Sequence, residues 1–322
     1  MIANSGEYRK KNGQRGCVMM NNFIFENKTK VYFGKGGVKE CLGGLLANFG
    51  ETVMLAYGGG SIKCNGVYDE IMGILNAQGK CVVEFSGIMS NPTYAKVQDG
   101  AKLARGNHVD LILAVGGGSV SDCCKVISGA FDTLSHAMET YFGKPDENNL
   151  SDDINEAVMR SVIRNIRILL TDPENYDARS ELAQASAMAE NGMLKIGKVT
   201  DFQTHQIEHQ LGVYTNCNHG AGLAVIHPVL YRHIYKSGTA RFTRWAQNVW
   251  GIAPKGSDGE TAAGIDALAA FIKEIGLPTS FAELGIPADT DFRAVADSTN
   301  ITAGCCKKLT HDEIYEILQE CL

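Results

Sequence analysis

Three histidines, His205, His209 and His219, fall within fifteen positions of the stretch DFQTHQIEHQLGVYTNCNHG (residues 201–220), in a chain of 322 residues that has only eight histidines. His205 and His209 are four positions apart, as are Asp132 and His136 in FDTLSHAMETYF, and that spacing puts each pair on one face of a helix. His219 opens a new segment at NHG. Three imidazoles and a carboxylate make a mixed nitrogen and oxygen donor set that suits a borderline divalent cation such as Zn²⁺ or Fe²⁺ and leaves room for a substrate oxygen. HQIEH also fits the H-x-x-E-H signature of a class of zinc peptidases, with Glu208 as general acid/base. That alternative leaves Asp132 and His136 without a role. His227, inside AVIHPVL, reads as a core histidine, and His108, His233 and His311 read as surface residues.

A second chemistry is written in glycine. Gly58-Gly59-Gly60-Ser61 follows the apolar run VMLAY (53–57), and Gly116-Gly117-Gly118-Ser119 follows LILAV (111–115). Glycine lets the backbone come close to a ligand, and the free N–H groups at a helix start favour phosphate, so two such turns at one sheet rim point to a phosphate-bearing cofactor.

The elements that must carry these groups differ between the two halves. Short apolar runs at 53–57, 81–85 and 111–115 alternate with helical spacing at 66–77 and 93–106, which predicts a parallel sheet covered by helices on both faces. After residue 150 the segments 152–170, 178–194, 240–251 and 259–276 read as helices, with Gly251 and Gly276 as stop signals. The class expected is α/β: an N-terminal parallel-sheet dinucleotide-binding domain over 20–130, followed by an all-helical metal-binding domain over 131–322.

A net charge of −6 without a basic block argues against nucleic acid, and no segment is long and apolar enough to span a bilayer. Ten cysteines without a C-x-x-C pattern fit buried, reduced thiols in a cytoplasmic protein. The polar run before Met19 and Met20 reads as an extension ahead of the folded chain, or as a start codon placed too early.

Together, LAVGGGSVSDCCKVISGA, FDTLSHAMETYF, HQIEHQLG and NHGAGLAVIHP resemble the iron-containing (group III) alcohol dehydrogenases, and YGGGS at 57–61 resembles the NADPH-dependent butanol dehydrogenase branch. The resemblance runs from about residue 20 to the end. It implies a dinucleotide domain, a helical domain and a metal in the cleft between them. It also implies Fe²⁺ (or Zn²⁺) held by Asp132, His136, His205 and His219, with His209 near the substrate as a proton relay. By the same resemblance Gly117, Gly118 and Ser119 hold the pyrophosphate, with Asp122 toward the nicotinamide. Gly58, Gly59 and Ser61 replace the acid that NAD-specific relatives carry, so with Lys63 nearby NADP(H) is favoured over NAD(H). The implied reaction is hydride transfer between NADP(H) and a small primary alcohol or aldehyde, in a homodimer. A polyol dehydrogenase or a dehydroquinate-synthase-like enzyme shares the superfold.

One departure stands out. Ala130 runs directly into Phe131, where the family has further strands and a Thr/Gly-rich loop, a difference of roughly two βα units. SVSDCCKVISGAFDTLSHAMETYF is then expected to run on as one helix broken near Gly129. The consequences expected are misplaced metal ligands, an uncovered sheet edge and a catalytically impaired, metal-binding remnant.

Overall fold

A computed structural model of the chain describes residues 24–26, 30, 32, 34–88, 94–116, 123–144, 148–253, 258–302 and 306–322. The chain forms two compact units, with one covering Asn27–Val126 and the other Ile127–Leu322.

The first unit begins with helix α1 (Gly37–Leu46), strand β1 (Thr52–Tyr57), the single turn α2 (Ser61–Cys64) and helix α3 (Val67–Ala77). Strand β2 (Cys81–Phe85), helix α4 (Tyr94–Gly106) and strand β3 (Leu111–Val115) complete it. The three strands are parallel in the order β2-β1-β3, with Val53 opposite both Val82 and Leu111. β1 is central and apolar, so Val53, Leu55 and Tyr57 are buried against Leu46 of α1 and Ile71 and Leu75 of α3. The expectation of a sheet covered on both faces holds only for β1. β3 alternates between half-buried and exposed positions, and Ile112 is 58% exposed, as on an edge strand that pairs only with β1 among the described strands.

The second unit is helical: α5 (Cys123–Tyr141), α6 (Leu150–Thr171), α7 (Tyr176–Glu190), α8 (Gln203–Thr215) and α9 (His219–Ile234) come first. They are followed by α10 (Thr239–Asn248), α11 (Asp258–Glu274), α12 (Phe281–Leu284), α13 (Phe292–Ser298) and α14 (His311–Glu320). Gly251 and Gly276 adopt positive φ just beyond α10 and α11, as stop signals should. α7 ends earlier than its apolar spacing suggests, at Glu190, because Gly192 turns left-handed and starts a 3-10 turn over Met193–Lys195. α5 is not broken at Gly129 but runs unbroken from Cys123 to Tyr141.

Phe142, Tyr231, Phe242 and Trp245 form the aromatic centre of this unit, with Phe142 and Phe242 stacked at 4.2 Å. Beside them is a buried charge cluster. Asp152, which closes a capping box with Asn149 at the start of α6, pairs with Lys198 at 2.6 Å and Arg241 at 2.9 Å. Lys198 and Arg241 both donate to the Tyr141 carbonyl and so satisfy the C-terminal end of α5. Lys144 and Val199 exchange backbone hydrogen bonds just beyond that end, and the Asp201 N–H donates to the Glu139 carbonyl, so the chain entering α8 is laid along α5.

Cys217 and Cys321 are buried, but Cys64 and Cys81 are exposed, which corrects the expectation of uniformly buried thiols. These four are free thiols, and among the described residues no helix is long and apolar enough to cross a membrane.

Candidate metal centre

Three helices bring the predicted donors together. Asp132 and His136 lie on one face of α5, His205 lies in the first turn of α8, and His219 is the first residue of α9, whose start is capped by the Asn218 side chain. Asp132 Oδ1 is 3.5 Å from His136 Nε2, 3.3 Å from His205 Nε2 and 3.5 Å from His219 Nε2, and the Nε2 atoms of His136 and His205 are 3.2 Å apart. Donors bound about 2.1 Å from a cation at tetrahedral angles are about 3.4 Å from one another. Asp132, His205 and His219 therefore gather within 4.8 Å of one another, with His136 3.2 Å from His205 and 3.5 Å from Asp132, and the expected displacement of these side chains is not seen. α5 carries Asp132 and His136 onto α8 irrespective of how many strands precede it.

The outer contacts fit the same purpose. His205 Nδ1 bonds to Glu139 Oε2 and His219 Nδ1 bonds to Glu208 Oε2, with both carboxylates buried. Such a partner fixes the tautomer that presents Nε2 and raises its basicity. Glu139 also caps α8 from α5, because its Oε1 accepts from the Thr204 N–H at 2.6 Å and its Oε2 from the His205 N–H at 3.3 Å. Glu208 can lie against α9 only because residue 222 is glycine, where a Cβ would come within 2.9 Å of Glu208 Cγ. His136 Nδ1 is buried without a partner among the described residues, and its ring is held by an edge contact with Phe202 at 5.3 Å. Phe202 itself sits at φ 56, a strained left-handed conformation for a bulky residue directly before α8.

The charges show what the cluster is built to balance. Burial disfavours charge on His205 and His219, but Glu139 and Asp132 outweigh it for His205 and raise its pKa to about 9, while Asp132 and Glu208 raise that of His219 to about 10. Burial pushes Asp132 up, but hydrogen bonds from His205 and His219 win and hold it well below the usual carboxylate range. Burial and the charge on His205 keep His136 neutral, with a pKa lowered to about 4. Without an ion, His205 and His219 thus both hold a proton at neutral pH, facing the ionised carboxylates of Asp132 and Glu139.

His209 stacks on His219 at 5.3 Å and is more exposed than the other three histidines. His227 is fully buried between Ser135 Oγ (2.6 Å) and Thr204 Oγ1 (3.3 Å), a core histidine as expected, while His108 is exposed and His233 and His311 are half-buried. Glu139 and Glu208 were missed as partners of the histidines. Glu139 is seven positions from Asp132 and Glu208 three from His205, so helical periodicity alone places them on the same faces.

At the sheet, Gly58 follows β1 and its carbonyl accepts from the Gly87 N–H, and a Cβ at Gly59 would meet nothing within 4 Å. Ser61 opens only the single turn α2, not a long helix, because Gly66 restarts the chain into α3. Gly117, Gly118, Ser119 and Asp122, like the Ser61 side chain, lie outside the described residues. Lys63, expected to serve a phosphate, lies 3.6 Å from Glu84, which also accepts from the hydroxyls of Tyr57 (2.5 Å) and Tyr68 (2.6 Å).

A sequence profile described as the Fe-containing alcohol dehydrogenase family, C-terminal, matches residues 126–322, and one for iron-containing alcohol dehydrogenase matches 28–157. The chain belongs to the iron-containing alcohol dehydrogenase family. It is 28% identical to NADH-dependent butanol dehydrogenase A of Clostridium acetobutylicum, in an alignment that covers 94% of this chain and 100% of that protein. With the NADPH-dependent aldehyde reductase YqhD of Escherichia coli the identity is 26%, over 83% of this chain and 90% of the other. The solved structure of NADH-dependent butanol dehydrogenase A from Thermotoga maritima matches with a TM-score of 0.88 at 26% identity, covering 94% of this chain and 99% of that one. The Clostridium alignment extends over 389 positions against 322 residues here, so this family member is the shorter protein. Membership also displaces the peptidase reading, whose general base Glu208 is buried against His219.

Proposed function

We propose that this chain is a metal-dependent alcohol dehydrogenase and aldehyde reductase acting on small primary alcohols and aldehydes with NADP(H). Asp132, His136, His205 and His219 hold Fe²⁺ or Zn²⁺, and His209 relays the proton. The observation that carries this reading is the convergence of Asp132, His205 and His219, with His136 3.2–3.5 Å from His205 and Asp132, and two of the rings backed by buried carboxylates. A divalent cation held there supplies Lewis acidity to the substrate oxygen, and the nicotinamide gives or takes the hydride. Glu139 and Glu208 keep His205 and His219 oriented throughout. Burial lowers the pKa of His209 and keeps its exposed imidazole neutral, so it can accept a proton and return it to solvent.

The preference for NADP(H) rests on Gly58, Gly59 and Ser61 in place of an acid, with Lys63 beside them, and on Gly117, Gly118, Ser119 and Asp122 for the pyrophosphate end. Relatives named for NADH and for NADPH both match, so the KM ratio for the two cofactors is the direct test. The homodimer expected from the family resemblance completes the proposal.

A second reading, a metal-binding remnant without turnover, draws on the exposed β3 and the shorter chain. The two separate in one experiment. The purified chain, reloaded with Fe²⁺ or Zn²⁺, is assayed for oxidation of NADPH and NADH with butanal and related aldehydes, and its metal content is measured alongside. His205→Ala and His219→Ala should lose the metal, while His209→Ala should keep it and lose turnover. Stoichiometric metal without any nicotinamide turnover would establish the remnant.

A further inference from the structure

Glu190 is the last residue of α7, and its Oε1 lies 2.8 Å from His136 Nε2, on the side of the ring that faces Asp132 and His205. We propose that Glu190 is a fifth ligand of the metal centre, so that the donor set is three imidazoles and two carboxylates. The proposal rests on the four-ligand reading above and extends it.

Two observations carry it. When His136 Nε2 binds a cation it has no proton left to donate, so the contact with Glu190 cannot persist as a hydrogen bond. A carboxylate oxygen at that place then turns either to the cation beside it or to water. The spacing agrees, because ligands at right angles about 2.1 Å from a cation are about 3.0 Å apart, against about 3.4 Å at tetrahedral angles. The 2.8 Å between Glu190 and His136 belongs with the former and the 3.2–3.5 Å separations with the latter. Gly192 ends α7 at this residue, and the Glu190 side chain is 51% exposed, so it can reach the centre without distorting the helix. A second carboxylate would bring the ligand charge to −2 and favour Fe²⁺, which accepts added oxygen ligands, over Zn²⁺ in a tetrahedral site.

The test uses the full chain stripped of metal and reloaded with Co²⁺, whose visible bands are weak in five-coordinate and several-fold stronger in tetrahedral sites. Wild type, Glu190→Gln, Glu190→Ala and His205→Ala are compared for cobalt content, visible absorption and rate of release to a chelator. The expected result is one cobalt per chain in wild type with weak bands. Both Glu190 variants should keep the ion, with bands several-fold stronger and release about tenfold faster. If wild type and the Glu190 variants share spectrum and release rate while His205→Ala binds nothing, Glu190 is not a ligand and the four-ligand reading survives. If wild type itself takes up no cobalt, both are overturned.

Discussion

Glu139 of α5 holds His205 of α8 by ring and by backbone: its carboxylate bonds to His205 Nδ1 and also accepts the N–H groups of Thr204 and His205. One buried side chain therefore docks two helices and orients a donor atom. Glu139→Gln keeps the size but offers an amide where a carboxylate is needed, and should weaken metal binding about 10–100-fold with a small loss of stability. Glu139→Ala should in addition cost about 1–3 kcal/mol for each N–H left buried and unmet. Chelator competition and thermal unfolding of the metal-free chain measure the two effects, and unchanged affinity in Glu139→Gln would rule out the orienting role.

Gly222→Ala separates helix propensity from site geometry. In an unconstrained helix, alanine should stabilise by up to about 1 kcal/mol. Here the new methyl meets Glu208 at 2.9 Å, and Glu208 must shift away from His219. Zinc affinity should fall about tenfold while helix content by circular dichroism is kept. Unaltered affinity with raised stability would refute this.

Acid should destabilise the chain through His227. Its pKa is lowered from the ordinary 6.5 to about 4 by burial, with nearby Glu139 opposing and His205 reinforcing the shift. Between pH 6.5 and 4 the unfolded chain takes up a proton that the folded chain refuses. Stability therefore drops as pH is lowered, by up to about 1.4 kcal/mol per pH unit, and His227 adds no dependence above 6.5. His205 and His219, raised to about 9 and about 10, act in the opposite sense: the stability they contribute is complete below 6.5 and lost as pH rises through those values. The metal-free chain should thus be most stable near pH 6.5, and His227→Gln should make the acid limb of urea unfolding shallower, with the remaining slope carried by His136, whose pKa is also lowered to about 4.

Asp152 is buried with Lys198 and Arg241, and removing it takes away the carboxylate that both cations share at the end of α5. Asp152→Ala should cost about 3–5 kcal/mol in denaturant unfolding. A cost below about 1 kcal/mol would mean that water reaches the pair.

Glu84→Gln should free Lys63 for a 2′-phosphate. The expected outcome is a several-fold lower KM for NADPH with that for NADH unchanged. Equal changes for both cofactors would place Lys63 away from the discriminating phosphate.

Much of the candidate site's layout could be read from the sequence, because its information is local. Spacing of four on a helix fixes which side chains share a face, so Asp132 with His136 and His205 with His209 were legible, and the NHG turn marked His219 as the start of α9. The parallel strands were legible for the same reason, since short apolar runs bounded by glycine specify strand and turn together. What the sequence could not decide was which faces meet. Glu208 fitted a peptidase base until α9 placed His219 against it, and Glu190 carried no signal until Gly192 stopped α7 beside His136. The missing strands were expected to displace the ligands, yet the Lys144–Val199 bridge and Glu139 lock α5 to α8 within the helical unit. Hydrogen bonds and close packing between helices depend on residues far apart in the chain, and spacing along one helix holds no record of them.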